Sequence, residues 1–334
     1  MQAHLIYNPS SGTAVIRREL GAAVAFLESR GWSITRSETA SPLEARELAR
    51  RAVERGAGVV IAAGGDGTVN EVANGLVHTE AALGILPVGT TNSFALQMGI
   101  PALKPVLPGT QTARRLAGLG DRLARPLPIS YHRKVLLNAA RVLTEGQTVI
   151  IDVGEVSGRY FLISAGIGLE AAIIERLSLR DKKALGSWSY LLTAIESAYR
   201  YASTEVRLTL DGEVLLISTP LIVVSNIQLY GGMVAINARA LVNDGKLDVT
   251  VLKGGGVLTF LQHTMKILAR RHLHDPKVEY YQCREAVVEA LHPLPVHADG
   301  DPLTETPVTI RTVPSSLKLI VPHRVPTNLF RPPL

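Results

Sequence analysis

Gly64-Gly65-Asp66-Gly67-Thr68 stands between a short apolar run, Val59–Ala63, and a stretch in which Val69, Val72, Ala73, Leu76 and Val77 recur at helical spacing. Glycines at a strand-to-helix turn let backbone N–H groups approach a phosphate closely, and the helix N-terminus adds partial positive charge. A Walker A loop is excluded, because no Lys-Ser/Thr pair follows, and the turn is not Gly-x-Gly-x-x-Gly either. A carboxylate at Asp66 would repel a bare polyphosphate. It makes chemical sense if it organises a divalent cation or takes a proton from an attacking hydroxyl; the plain alternative is that Asp66 is the N-cap of the following helix. Further acids stand at informative places. Asp152 lies inside an apolar strand-like run, Ile150–Val153, and needs a partner, either an Arg or a metal. Asp299 and Asp301 flank Gly300. Asp301 could act as a base or be a turn residue before Pro302, and Asp299 reads as turn chemistry or an orienting partner.

The elements that must hold these residues alternate in the first hundred positions. Ala3–Tyr7 reads as a strand, Asn8-Pro9-Ser10-Ser11-Gly12 as a turn, and a helix pattern follows to Arg30. Trp32–Arg36 is a strand; Ser41 as N-cap, Pro42 at the first position and Glu44 predict a helix start, with the helix ending near Gly56. Leu83–Val88 is another strand, followed by a second Gly-Thr turn. Repeated β-α units predict a mostly parallel sheet flanked by helices, with ligands at the carboxyl ends of the strands. Residues 100–128 read as a long Pro- and Gly-containing loop with a short helix at Thr112–Leu119, and Arg133–Leu143 as a helix closing this domain.

The second half is β-rich. Thr148–Val153, Arg159–Ser164, Glu205–Leu210, Val214–Asn226, Leu247–Leu252, Val278–Glu289, Val308–Thr312 and Leu317–Val321 are strand-like, and Asp211-Gly212 marks a hairpin. Helix patterns cover Leu169–Leu177, Ser187–Tyr201 and Val257–Arg271. The predicted fold is α/β: an N-terminal mostly parallel sheet with flanking helices, plus a C-terminal β-sandwich. The expected boundaries are 1–145 and 146–315, with 316–334 packing back on the first domain and a site in the cleft between them.

Composition narrows the class. The chain has 334 residues, a formal net charge of +6 and a single cysteine, Cys283, which excludes an intrachain disulfide and a Cys-rich metal site. A basic surface attracts polyanions without choosing among them. With nine Tyr and five Phe and no basic-aromatic stripe, nucleic-acid binding is not expected. No apolar run reaches the roughly 20 residues of a membrane helix, and the start lacks a signal-peptide pattern, so a cytoplasmic location is expected.

The chain resembles the diacylglycerol kinase catalytic-domain family, which includes bacterial lipid kinases and sphingosine kinases and is distantly similar to NAD kinases. The resemblance rests on Asn8-Pro9-Ser10-Ser11-Gly12, Gly64–Val72, Leu86-Pro87-Val88-Gly89-Thr90-Thr91-Asn92-Ser93-Phe94-Ala95, Ala165-Gly166-Ile167-Gly168 after a strand Tyr160–Ser164, Asp244-Gly245-Lys246-Leu247-Asp248-Val249 and Asp299-Gly300-Asp301. It implies an NAD-kinase-like nucleotide domain and a β-sandwich, using ATP and Mg²⁺ to phosphorylate a lipid hydroxyl at a membrane surface. It places ATP against Asn8, Thr39, Gly64, Gly65, Asp66, Gly67, Thr68, Val69, Asn70, Glu71, Gly89, Thr90, Thr91 and Asn92; Thr39 reads somewhat better as part of a helix-entry turn before Ser41. It makes Asp301 the general base, in place of the usual Glu, and puts Asp152 in a magnesium-centred network with Asp66. It implies a structural metal on the Asp244 carboxylate and the backbone oxygens of Leu241 and Lys246, where Asn243-Asp244-Gly245 also reads as a plain turn. Ser93 stands where the family carries an Asp, and the connection 102–128 is longer than usual. Val257, Leu258, Leu261, Met265 and Leu268 share one helical face, which could lie among lipid headgroups or, more commonly, pack on a sheet. Arg180, Lys182 and Lys183 form a basic cluster suited to a headgroup or to solvent. A peripheral position at the inner membrane surface follows from the family, and a homodimer stays open. The rivals are an NAD kinase-like enzyme and a non-catalytic lipid- or nucleotide-binding protein of the same fold.

Overall fold

The computed structural model describes residues 1–9, 11, 14–103, 129–179, 203–230, 234–326 and 328–331. The expected helices Thr112–Leu119 and Ser187–Tyr201, the long connection, the Arg180 cluster, Ser10 and Gly12 lie outside these. The chain divides into two compact units: Met1–Val149 with Leu317–Pro326, and Ile150–Tyr230 with Val234–Ser316 and Thr327–Leu334.

In the first unit, strands β1 (Gln2–Tyr7), β2 (Ser33–Glu38), β3 (Val59–Gly64) and β4 (Ala82–Pro87) run parallel in the order β2-β1-β3-β4. β3 and β4 are buried along their whole length, which is why they read as continuous apolar runs. Helix α1 (Ala14–Ser29) packs on α5 (Ile129–Glu145), and α2 (Glu44–Glu54) on α3 (Asp66–Leu76). A short helix, α4 (Ser93–Gln97), follows β4. The α2 start differs from expectation. Leu43 has φ 67°, a left-handed conformation that cannot continue a helix, so α2 begins at Glu44 and not at Pro42. The Glu44 carboxylate still reaches back, accepting the N–H groups of Ala40 (2.6 Å) and Ser41 (3.1 Å).

The second unit is an antiparallel β-sandwich, built from β5 (Gln147–Val156), β6 (Arg159–Phe161), β7 (Ser164–Gly168), β8 (Thr204–Leu210), β9 (Glu213–Thr219), β10 (Leu221–Ser225), β11 (Leu229–Tyr230), β12 (Val234–Ala235), β13 (Leu247–Leu252), β14 (Val278–Cys283), β15 (Glu285–Ala290), β16 (Pro295–Ala298), β17 (Asp301–Glu305) and β18 (Val308–Val321). One layer carries β18-β15-β8-β9 and the other β14-β13-β10-β7-β16-β17. Their inner faces share one core, including Phe161, Ile167, Leu208, Val224, Val249, Val288 and Ile310. The β8–β9 hairpin turns at Asp211 (φ 48°) and Gly212 (φ 91°), as a two-residue turn with both φ positive requires.

Four expected strand limits change here, each for a local reason. Val214–Asn226 splits at Pro220, which lacks the N–H a ladder needs; β9 and β10 then join different sheets. Val278–Glu289 splits at Arg284, because Asp211 takes the N–H groups of both Arg284 and Glu285 at 2.9 Å. Arg159–Ser164 breaks after Phe161, so Ala165–Gly168 belongs to strand β7 and does not follow a strand. The two final strands are one, β18: Val308–Arg311 pair with β15, and Lys318 and Leu319 pair parallel with Ala82 and Leu83 of β4. Helices α6 (Leu169–Leu179) and α7 (Val257–Leu268) complete the unit, with a 3-10 turn at His272–His274.

Candidate functional site

In the first unit the two Gly-rich turns meet. Gly65 is the N-cap of α3 and Asp66 its first residue, so Asp66 does not cap its own helix. Its carboxylate caps α4 instead: Oδ2 accepts the Ser93 N–H at 3.0 Å and Oδ1 the Phe94 N–H at 3.1 Å. Burial pushes the Asp66 carboxyl up from its usual range, and those amides and the Ser93 hydroxyl oppose the shift. Ser93 thus meets Asp66 through its own backbone and hydroxyl.

The two loops approach so closely that a methyl on Gly89 would strike Gly65; within the first turn, a methyl on Gly64 would strike Thr68. Gly67 is exposed, with open space around it. Asn92 (φ 51°) closes the second loop, its side chain accepting the Gly89 N–H (3.0 Å) and donating to the Gly89 carbonyl (2.8 Å). Thr90 is exposed and Thr91 half-buried. Asn8 is half-buried beside them, its N–H on Ala63 O at 3.3 Å; Thr39 is buried, its N–H on Tyr7 O at 3.0 Å. The rest of the motif serves the fold. Val69 is in the core, Asn70 is buried and receives the Asn74 amide (2.9 Å to O, 3.1 Å to Oδ1), and Glu71 accepts the Ala45 N–H at the start of α2 (3.2 Å).

The acids of the second unit hold backbone and side-chain donors of neighbouring turns and strands. Among the described residues Asp152 pairs with no Arg, and both its oxygens are engaged: Oδ2 accepts the Gly245 N–H at 2.6 Å and Oδ1 the Ser315 N–H at 2.7 Å. Asp244 accepts the Lys246 N–H at 3.1 Å, closing the Asn243–Lys246 turn in which Gly245 has φ 75°. Burial raises both carboxyl pKa values, and the Asp152 charge adds to the rise at Asp244. Asp248, two residues beyond Lys246, is buried; its Oδ1 takes the Tyr280 hydroxyl and the Gln282 amide, and burial pushes its pKa up to about 6. Among the described residues, no group of three or more His, Cys, Asp or Glu side chains could hold a metal. A cation at Asp244 would need backbone oxygens such as those of Leu241 and Lys246. Two neighbouring carboxylates with raised pKa values fit such a cation.

Asp301 begins β17 and is 54% exposed, with Oδ2 on Arg159 Nη2 at 2.5 Å. Asp299 (φ 50°) is the orienting residue: Oδ2 accepts the Leu162 N–H (2.8 Å), and Oδ1 those of Ile163 (2.9 Å) and Ser164 (3.0 Å). Sequence reasoning missed Arg159, Glu170 and His297, which surround this turn. Glu170 directly follows Gly168-Leu169, and His297 stands two residues before Asp299, so nearness to the motifs was the available signal.

Two family models match the chain: the diacylglycerol kinase catalytic domain over residues 2–122, and the YegS C-terminal NAD kinase beta sandwich-like domain over residues 163–321. The chain is similar to the diacylglycerol kinase catalytic-domain family in both halves. It is 28% identical over 302 residues to a diacylglycerol kinase of Bacillus subtilis, covering 90% of this chain and 89% of that one. It is 24% identical over 327 residues to a diacylglycerol kinase of Staphylococcus carnosus, covering 97% and 96%. The crystal structure of a diacylglycerol kinase from Bacillus anthracis superposes with a TM-score of 0.72 at 23% identity, over 96% of each chain, and so shares the fold. The diacylglycerol kinase family is a lipid kinase family. In this chain the Gly-Gly-Asp-Gly-Thr turn is locked to the second Gly-Thr turn by the Asp66 carboxylate. No helix among the described residues is long and apolar enough to cross a membrane.

Proposed function

We propose that this chain transfers the γ-phosphoryl group of ATP to a lipid hydroxyl such as that of diacylglycerol. The observation that carries the reading is the Gly65–Gly89 approach pinned by Asp66. It leaves the first-turn N–H groups of α3, which have no partner within the helix, beside an open glycine. Those amides, at Gly67 and Thr68, with Thr90 and Asn8 nearby, would hold phosphate oxygens. When bound, ATP supplies the phosphoryl group and Mg²⁺ neutralises its charge. Mg²⁺ would be held mainly by the phosphates of ATP, with the Asp66 carboxylate nearby, and a second cation would be held by Asp244 with the backbone oxygens of Leu241 and Lys246. Asp152 would set the turn that carries Asp244.

Asp301 would accept the proton of the lipid hydroxyl, and Arg159 would hold its carboxylate in place until the acceptor arrives. Nucleotide binding belongs on this reading to the first unit and the base to the second, near the expected limits of 1–145 and 146–315.

Contact with a membrane surface is supported by α7. Leu258 is 71% exposed, Met265 66% and Leu261 40%, and Arg270 and Arg271 stand exposed just past the helix end. The opposite face, with His263 and Ile267, is buried. An apolar stripe with cations at one end suits the interface of an anionic bilayer, consistent with a peripheral position at the inner membrane surface.

The test is phosphate transfer from labelled ATP to diacylglycerol, phosphatidylglycerol, a long-chain base and NAD, with and without Mg²⁺. Label on a lipid that disappears in Asp66→Asn is the expected result. Label on NAD alone, or nucleotide binding with no transfer to any acceptor, would overturn the reading.

A further inference from the structure

Glu170, in the first turn of α6, and His297, in β16, face each other inside the sandwich unit. Nε2 of His297 lies 2.9 Å from Oε1 of Glu170, and the side chains are 1% and 6% exposed. The 2.9 Å approach is a close contact and not an aligned hydrogen bond, and neither Glu170 oxygen nor Nε2 has a hydrogen-bond partner among the described residues. Room for the pair is made by Gly166, which pairs with His297 across β7 and β16. A methyl there would collide with both side chains. Burying an ionisable pair is a poor route to stability, since desolvation offsets much of the attraction. Buried polar groups with few partners call for another reason.

The other ring nitrogen gives that reason. His297 Nδ1 accepts the N–H of Gly300 at 3.2 Å, so the ring proton resides on Nε2, beside the Glu170 carboxylate. Gly300 has φ 87° and joins Asp299 to Asp301. The turn is therefore gripped twice. Asp299 ties it to the Leu162–Ser164 amides, and His297 ties it through Gly300.

We infer that Glu170 and His297 are positioning residues for Asp301: the carboxylate holds the imidazole in one tautomer and orientation, and the imidazole, through the Gly300 N–H, sets the direction in which Asp301 projects. The inference rests on the reading of Asp301 as the base. Its logic is that of a carboxylate orienting a histidine, with a backbone amide as the next link in place of a nucleophile.

The test is a double-mutant cycle on the full chain, with transfer from ATP to diacylglycerol as the readout. His297→Gln removes the acceptor for Gly300, and a misdirected base lowers kcat by up to about 100-fold, with KM for ATP unchanged. His297→Asn, whose amide oxygen can replace Nδ1, recovers at least part of that loss. Glu170→Gln lowers kcat less than His297→Gln does, because the ring remains. In an Asp301→Asn background, His297→Gln causes no further fall beyond about threefold, because the group it serves is gone. Thermal melting of every variant runs alongside. The inference is overturned if His297→Gln lowers kcat by the same factor in both backgrounds, or if the melting temperature falls while kcat holds. Full turnover by Asp301→Asn alone is a different pattern: it removes the base reading itself, and the positioning role goes with it.

Discussion

Asp299→Asn isolates what one carboxylate does for the sandwich unit. Asn tolerates the left-handed conformation at φ 50°, so the substitution adds little backbone strain. Its remaining oxygen can keep the Ile163 and Ser164 amides. The Leu162 N–H, now 2.8 Å from Oδ2, would face an NH₂ group instead. The loss is one charge-assisted bond, about 1.5–3 kcal/mol, with a further cost for the amide left unsatisfied, so a fall of roughly 2–4 kcal/mol is expected. For a unit of this size that is on the order of 5–15 °C in Tm. Urea unfolding followed by circular dichroism, with Asp299→Ala as the more severe comparison, measures it. A change under about 0.5 kcal/mol for Asn would show that the three amide bonds do not hold the β6–β7 junction, and the account of the acidic turn would fail with them.

Other outcomes are equally specific. Asp66→Asn leaves one acceptor for two α4 amides, so it should cost about 1–2 kcal/mol in unfolding free energy and lower kcat at least 100-fold; loss of stability with full turnover would make Asp66 a cap only. Asp248, with a folded pKa near 6 against 3.8 unfolded, binds more protons when folded, so its contribution is fully present below pH 4 and is lost as pH rises through 6. Asp248→Asn should therefore gain relative to the parent in denaturant titrations between pH 4 and 7, by up to about 3 kcal/mol, and a constant difference across that range would refute the burial argument. Leu258→Glu with Met265→Glu should weaken sedimentation with phosphatidylglycerol vesicles at least tenfold while sparing turnover on a short-chain, dispersed acceptor; unchanged sedimentation would remove α7 from the membrane contact.

Much of the first unit is legible because its signals are local. β3 and β4 are buried on both faces and end in glycine turns, so apolar run and breaker lie side by side in the chain. The sandwich was legible as a class but not in its limits. Apolar residues continue on both sides of Pro220 and Arg284, and only the exchange between sheets shows that the chain breaks there. For the acids, residue type and turn context were visible, whereas the partners were not. Asp66 meets amides 27 and 28 residues away, and Asp299 meets amides more than 130 residues away. A carboxylate that binds backbone at such separations leaves no pattern of side-chain types. The α7 stripe shows the converse: its spacing was plain, yet only exposure separates a face turned to a sheet from one turned outward.

The double service of β18 has a practical consequence for anyone cutting the gene. The strand begins as a neighbour of β15 and finishes as a neighbour of β4, so no single break in the polypeptide releases the first unit whole. A fragment stopping at Val149 would leave β4 with a bare hydrogen-bonding edge, an invitation to self-association. Supplying residues 317–326 through a short graft after residue 149 should give a fragment that stays dispersed.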